Sequence, residues 1–120
     1  DIEGAPAPVG PYSPAVKANG LVFVSGQIAL DPESGAMIEG GVEEQTKQVL
    51  KNLEAVLKAS GSSVDKILMT TIFLDDIKDG GIVNELYADF VNLENAPARQ
   101  TVAVKGLPLG ALVEISVIAA

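Results

Sequence analysis

Three residue types are missing altogether from the 120-residue chain: cysteine, histidine and tryptophan. Without cysteine there is no disulfide framework and no thiolate nucleophile. Without histidine the commonest metal ligand and the side chain that titrates nearest neutrality are both gone. Aromatic residues make up only 4% of the sequence and tryptophan is absent, so the core has to be built from Val, Ile, Leu and Ala. The β-branched members of that set suit sheets. Positive charge is also scarce: 8 basic against 16 acidic residues leave a formal charge of −8. A surface of that sign repels a phosphate backbone instead of releasing its counterions, which argues against nucleic acid as a main partner. No apolar run approaches the roughly 20 residues of a membrane-spanning helix, and the first residues are not a basic, apolar leader. The expectation is a soluble, cytoplasmic protein with no membrane contact; the start at Asp1 leaves open an organellar leader removed ahead of it. Phosphate-binding glycine loops, zinc spacings, nucleophile elbows and Ser/His/Asp sets are lacking too. Asp75-Asp76 with Asp79 lacks the spacing of a calcium loop and reads as a solvated turn, so no metal site is expected.

What is present is an ordinary folding composition, 48% hydrophobic and 20% charged, in a length that suits one domain over residues 1–120. Prolines and glycines crowd the opening DIEGAPAPVGPY, so residues 1–9 read as an extended arm. Asn19-Gly20 lies between Ala15-Val16 and Leu21-Val22-Phe23-Val24 and predicts a two-residue hairpin, because both turn positions need positive φ. A further short apolar stretch follows Gln27, and Asp31-Pro32-Glu33-Ser34-Gly35 reads as a turn.

Val42, Val49, Leu50, Leu53, Val56 and Leu57 recur at helical spacing and predict a helix from Val42 to Ser60, with Gly61 just past its end. From Ile67 to Leu74 every residue is apolar or Thr, the pattern of a central strand covered on both faces. A second helix is expected from Ile82 to Val91, with Ile82, Leu86, Tyr87 and Phe90 inward. Strands over Thr101–Val104 and Leu112–Ile118 complete the chain. The element order implies an α+β fold, a mixed sheet with both helices packed on one face. No helix is left to cover the other side of the Ile67–Leu74 strand, and a second copy of the chain is the simplest cover.

A few polar residues stand out against this frame. Arg99 opens a strand behind Pro97, and its planar fork of donors suits a carboxylate. The alternative is a surface arginine paired with one of the many acids. Glu114 interrupts the otherwise apolar run Leu112-Val113-Glu114-Ile115-Ser116-Val117-Ile118. Either it is paired or shifted in pKa, as catalytic carboxylates are, or it lies on the solvated face of an edge strand. Tyr12, Ser13, Ser25, Gly26 and Gln27 sit at chain bends that could line a pocket, or serve only as turn residues and, for Tyr12, as core. Asn84 and Tyr87 share a helix face, which by itself suggests a surface amide and a core aromatic.

Taken together, Gly10-Pro11-Tyr12-Ser13, Val24-Ser25-Gly26-Gln27, Gln45 with Asn52, Asn84-x-x-Tyr87-x-x-Phe90, Pro97-Ala98-Arg99, Leu107-Pro108 and Glu114-Ile115 resemble the RidA family of reactive intermediate deaminases, over nearly the whole chain. The resemblance implies a chorismate-mutase-like fold assembled as a homotrimeric barrel, with helices outside and active sites between subunits. It implies hydrolysis of small 2-imino and 2-enamino acids, such as 2-iminobutanoate, 2-iminopropanoate and 2-aminoacrylate released by pyridoxal-phosphate enzymes, to 2-keto acids and ammonia, with no cofactor. Carried over by motif, Arg99 and Glu114 become catalytic, and Tyr12, Ser25, Gly26, Asn84 and Thr101 bind substrate. Two departures stand out: Thr101 occupies a position often filled by cysteine in bacterial relatives, and Ala96 replaces a bulkier residue before the proline. The competing expectations are an endoribonuclease or translation inhibitor, which the negative charge and missing histidine disfavour, and a non-enzymatic ligand-binding trimer, which the presence of Arg99 disfavours.

Overall fold

The structure, a computed structural model, describes residues 2–120. The hairpin forms where Asn19-Gly20 placed it: strand β1 (Ala15–Ala18) pairs antiparallel with β2 (Leu21–Gln27), and Asn19 and Gly20 take φ of 51° and 77°. The apolar stretch after Gln27 makes only one isolated bridge, Leu30 to Met37. Between them the Asp31 side chain accepts from the amides of Glu33 and Ser34, closing the expected turn.

Helix α1 (Val42–Ala59) begins where the Glu44 carboxylate accepts from the Gly41 amide. It stops at Ser60, because Gly61 turns left-handed at φ 81° and the Ser62 amide reaches back to the Leu57 carbonyl. Strand β3 (Ile67–Leu74) leads by way of short helical turns to α2 (Gly80–Phe90), then to β4 (Ala98–Ala103) and β5 (Val113–Ala119). Three element starts therefore move. α2 starts two residues before Ile82, since the turn at Ile77–Asp79 runs directly into it. It buries Val83 and Tyr87, leaving Ile82 exposed; with Ile82 and Val83 adjacent and both apolar, only packing decides between them. β4 reaches back to Ala98 because the parallel ladder to β3 begins at Met69. β5 starts at Val113 because the Leu112 amide is taken by the Gln45 side chain.

The strands form one mixed sheet in the order β1-β2-β5-β3-β4. β3 is interior, but the central strand is β5, antiparallel to both neighbours. Both helices lie on one face. Leu53 and Leu57 of α1 and Val83 of α2 join Ile72, Leu74, Ile115 and Val117 of the sheet in a single core. Transfer of side chains of this size from water stabilises the fold by about 2 kcal/mol each. The opposite face has no helix: Val16, Phe23, Ile118 and Met69 form one row across the strands, and Glu114, Phe73 and Val102 another. Phe23 is 40% and Val102 45% exposed. Within one chain, then, β3 is covered on one side only.

Within the expected arm, residues 2–5 form a turn. The Ala5 amide bonds the Ile2 carbonyl and Ala5 is buried against the core, while the position of Asp1 lies outside the described residues. Asp76 ends its run by capping the Lys78 amide.

Candidate active site

The expected polar residues gather at two places, one on each face of the sheet. Arg99 is the second residue of β4 and the register partner of Thr70, so its side chain leaves on the helix side. Its Nη1 donates to Asn84 Oδ1 at 2.6 Å, and its guanidinium carbon lies 5.2 Å from the centre of the Tyr87 ring. It makes no ion pair among the described residues, which removes the reading of a surface salt bridge. Tyr87 is buried and donates to Thr70 Oγ1 at 2.9 Å; burial raises its pKa, with Thr70 and Arg99 pulling the other way. Thr101, two residues on from Arg99, shares its face. The Thr101 hydroxyl is buried and unpaired among the described residues, closed off from any ligand. Its backbone is better placed. The Val104 amide points to β3, bonding the Leu74 carbonyl, and alternation along a parallel ladder turns the amide and carbonyl of Thr101 to the free edge.

Glu114 lies on the bare face of β5, facing Phe73. It is on the central strand, not an edge strand. Half-buried and without a hydrogen-bond or ion-pair partner among the described residues, its carboxyl is pushed above the usual carboxylate range by burial. Gly26 is its floor, since a Cβ there would collide with the Glu114 carboxylate. Ser25 and Gly26 fall in a one-residue irregularity of the β2–β5 ladder, between the pairs Val24–Val117 and Gln27–Ile115. Such bulges re-aim side chains. Ser25 Oγ donates to the Ser13 carbonyl at 2.6 Å, which ties the opening loop to this corner. Tyr12 and Gly26 line the same narrow crevice, of about 20 Å³. Tyr12 is 47% exposed and so is not core.

Helix α1 braces this corner from behind. Gln45 accepts from the Leu112 amide just ahead of β5, and Asn52 donates to the carbonyls of Ile28 and Leu30 just after β2. Their seven-residue spacing places both on one helix face, a pattern present in the sequence from which a shared role of the two could be read. The role of Gly26 under Glu114 had no such signal.

The structure thus brings Tyr12, Ser25, Gly26 and Glu114 together, and separately Asn84, Tyr87, Arg99 and Thr101. It does not join the two groups within one chain. Arg99 sits two strands from Glu114, about 10 Å across the sheet and about 10 Å along it, on the opposite face.

A mixed five-stranded sheet with two helices on one face and polar residues at its edge and on its bare face is the architecture of the YjgF/Rid proteins. Among solved structures, the Rid family protein YyfA from Yersinia pestis matches with a TM-score of 0.95 at 48% identity, covering 100% of this chain and 95% of that one. The family model described as Endoribonuclease L-PSP matches residues 2–120. Reactive Intermediate Deaminase A, chloroplastic, from Arabidopsis thaliana is 50% identical over 117 residues, 98% of this chain and 62% of that protein. The 2-iminobutanoate/2-iminopropanoate deaminase of Mus musculus is 46% identical over 115 residues, 96% and 84% of the two chains. The chain belongs to the RidA family. No helix among the described residues is long and apolar enough to cross a membrane.

Proposed function

We propose that the protein hydrolyses small 2-imino acids, and the enamines in equilibrium with them, to 2-keto acids and ammonia, in sites completed between copies of the chain. The observation that carries this reading is the arginine. It is exposed, free of any acidic partner among the described residues and held by Asn84, with its remaining donors open to a carboxylate. The relatives named as deaminases support the same substrate class.

The imine carbon is already electrophilic, so the reaction asks for orientation, a placed water and a proton carrier, with no cofactor. Arg99 pairs bidentately with the substrate carboxylate, and the outward backbone groups of Thr101 and the Asn84 amide bind beside it. Glu114, with a carboxyl made more basic by burial, takes a proton from water as its oxygen bonds to C2. That proton passes to the imine nitrogen to give the carbinolamine, and the hydroxyl proton then moves to nitrogen by way of the same carboxylate as the C–N bond breaks, releasing ammonia and leaving the keto oxygen. Gly26 gives the Glu114 carboxylate room, and Tyr12 and Ser25 shape the wall beside it.

Because Arg99 and Glu114 face opposite ways in one chain, the reading requires a second copy that lays its Glu114 corner against the Arg99 edge. A closed ring of three satisfies this head-to-tail geometry and covers the bare sheet face. Ribonuclease action is the weaker reading: the charge of −8 opposes RNA binding, and no histidine is present for acid–base cleavage.

The test generates imine in situ with a pyridoxal-phosphate dehydratase, in the presence of semicarbazide as a competing trap. Wild-type protein is expected to accelerate keto-acid formation and to suppress semicarbazone. Arg99→Ala should lose roughly two to three orders of magnitude in kcat/KM with its assembly state unchanged. Retention of activity by that variant would overturn the assignment.

A further inference from the structure

An arginine is a long, freely rotating side chain, and to recognise a carboxylate in a bidentate manner its guanidinium plane has to be fixed before the ligand arrives. Asn84 fixes one corner, through Nη1. A single hydrogen bond leaves the plane free to swing about it. What holds the rest is the ring of Tyr87, whose centre lies 5.2 Å from the guanidinium carbon. That ring is itself immobile: it is 6% exposed, and its hydroxyl is anchored to the fully buried Thr70, the register partner of Arg99 on the next strand. Asn84 and Tyr87 are one turn apart on α2 and therefore reach the same side chain from the same helix face. The attraction of the ring face for the cation and the Asn84 bond act on different parts of the guanidinium, leaving the Nε and Nη2 edge unengaged among the described residues.

We infer that Tyr87 is a positioning residue, the platform on which Arg99 is held in the plane that accepts a carboxylate. This rests on the reading of Arg99 as the carboxylate anchor. It assigns to a buried tyrosine, which packing alone would explain, a second task at the site. The ring face carries that task; packing holds the buried ring, and the hydroxyl's bond to Thr70 only adds to that hold.

The probes are 2-oxobutanoate and its neutral amide, 2-oxobutanamide, with dissociation constants measured on the full chain by calorimetry. Wild-type protein is expected to prefer the carboxylate. Tyr87→Leu should weaken 2-oxobutanoate binding about tenfold with little change for the amide, while Tyr87→Phe should stay within about twofold of wild type. Because Leu at a buried ring position can harm folding, a second series replaces Tyr87 by phenylalanine carrying one, two and three ring fluorines, which keeps the shape and weakens the quadrupole. Affinity for 2-oxobutanoate should fall stepwise, to about fivefold in total. A flat fluorine series, or a Tyr87→Phe loss as large as that of Tyr87→Leu, would overturn the inference and leave Arg99 as anchor. Equal affinity of wild-type protein for the two probes would overturn the anchor itself, and the inference with it.

Discussion

Glu114 is the residue whose chemistry and stability pull in opposite directions. Its carboxyl titrates above the ordinary range in the folded chain because burial disfavours its charged form. The native state therefore binds this proton more tightly than the unfolded chain does, and stability declines as pH rises from the ordinary carboxylate value through the raised one, staying low above it. Glu114→Gln removes the charge while keeping the shape. The expected outcome is a melting temperature higher by a few degrees at pH 7 and unchanged below pH about 4, with kcat lowered on the order of 100-fold. Thermal melts at both pH values together with the imine assay check it. In the wild type, activity should fall as pH drops through the raised carboxyl value. The sequence marked Glu114 by its apolar neighbours, and Arg99 by its place behind Pro97. It left Tyr87 as a core aromatic, because a ring's usefulness to a cation depends on what the next strand places above it.

At the scale of elements, local signals held where one segment dictates its own shape. The Asn19-Gly20 hairpin formed as expected, and α1 ended within one residue of the expected position, since positive φ and helical periodicity are local properties. Boundaries moved where a partner decided them, as when the ladder to β3 extended β4 back through Arg99. α1 does more than cover the sheet. Asn52, fully buried, donates at 3.2 Å to the Ile28 carbonyl and at 3.0 Å to that of Leu30. Asn52→Ala leaves both carbonyls buried without that donor, at a cost of about 3 kcal/mol. Denaturant titration should show that loss, and hydrogen exchange should show earlier opening of residues 28–30 than of the helix itself.

For the whole molecule the decisive fact is that Arg99 and Glu114 lie on opposite faces of one sheet. If catalysis draws each from a different copy, two inactive variants can repair one another. Co-assembly of Arg99→Ala with Glu114→Gln chains in equal amounts, by co-expression or refolding, should restore on the order of a quarter of wild-type activity, the chance that a random interface keeps both intact groups. Each variant alone stays inactive. Activity in the mixture no greater than that of the separate variants would place both groups in one subunit and remove the intersubunit site. On that reading the exposed Phe23 and Val102 of the apolar bare face lie on the surface that assembly would cover.

By itself the sequence determined the class of fold, the hairpin, the first helix and the short roster of polar residues able to do chemistry, because with no cysteine or histidine few candidates remain. Only the tertiary structure decided how those residues are divided. Strand side chains alternate with a period of two, so the face a residue takes follows from its register. Arg99 pairs with Thr70 and Glu114 with Phe73, three residues apart on β3. That odd number puts Arg99 and Glu114 on opposite sides, and it is set by pairings between strands distant in sequence, which no local pattern encodes.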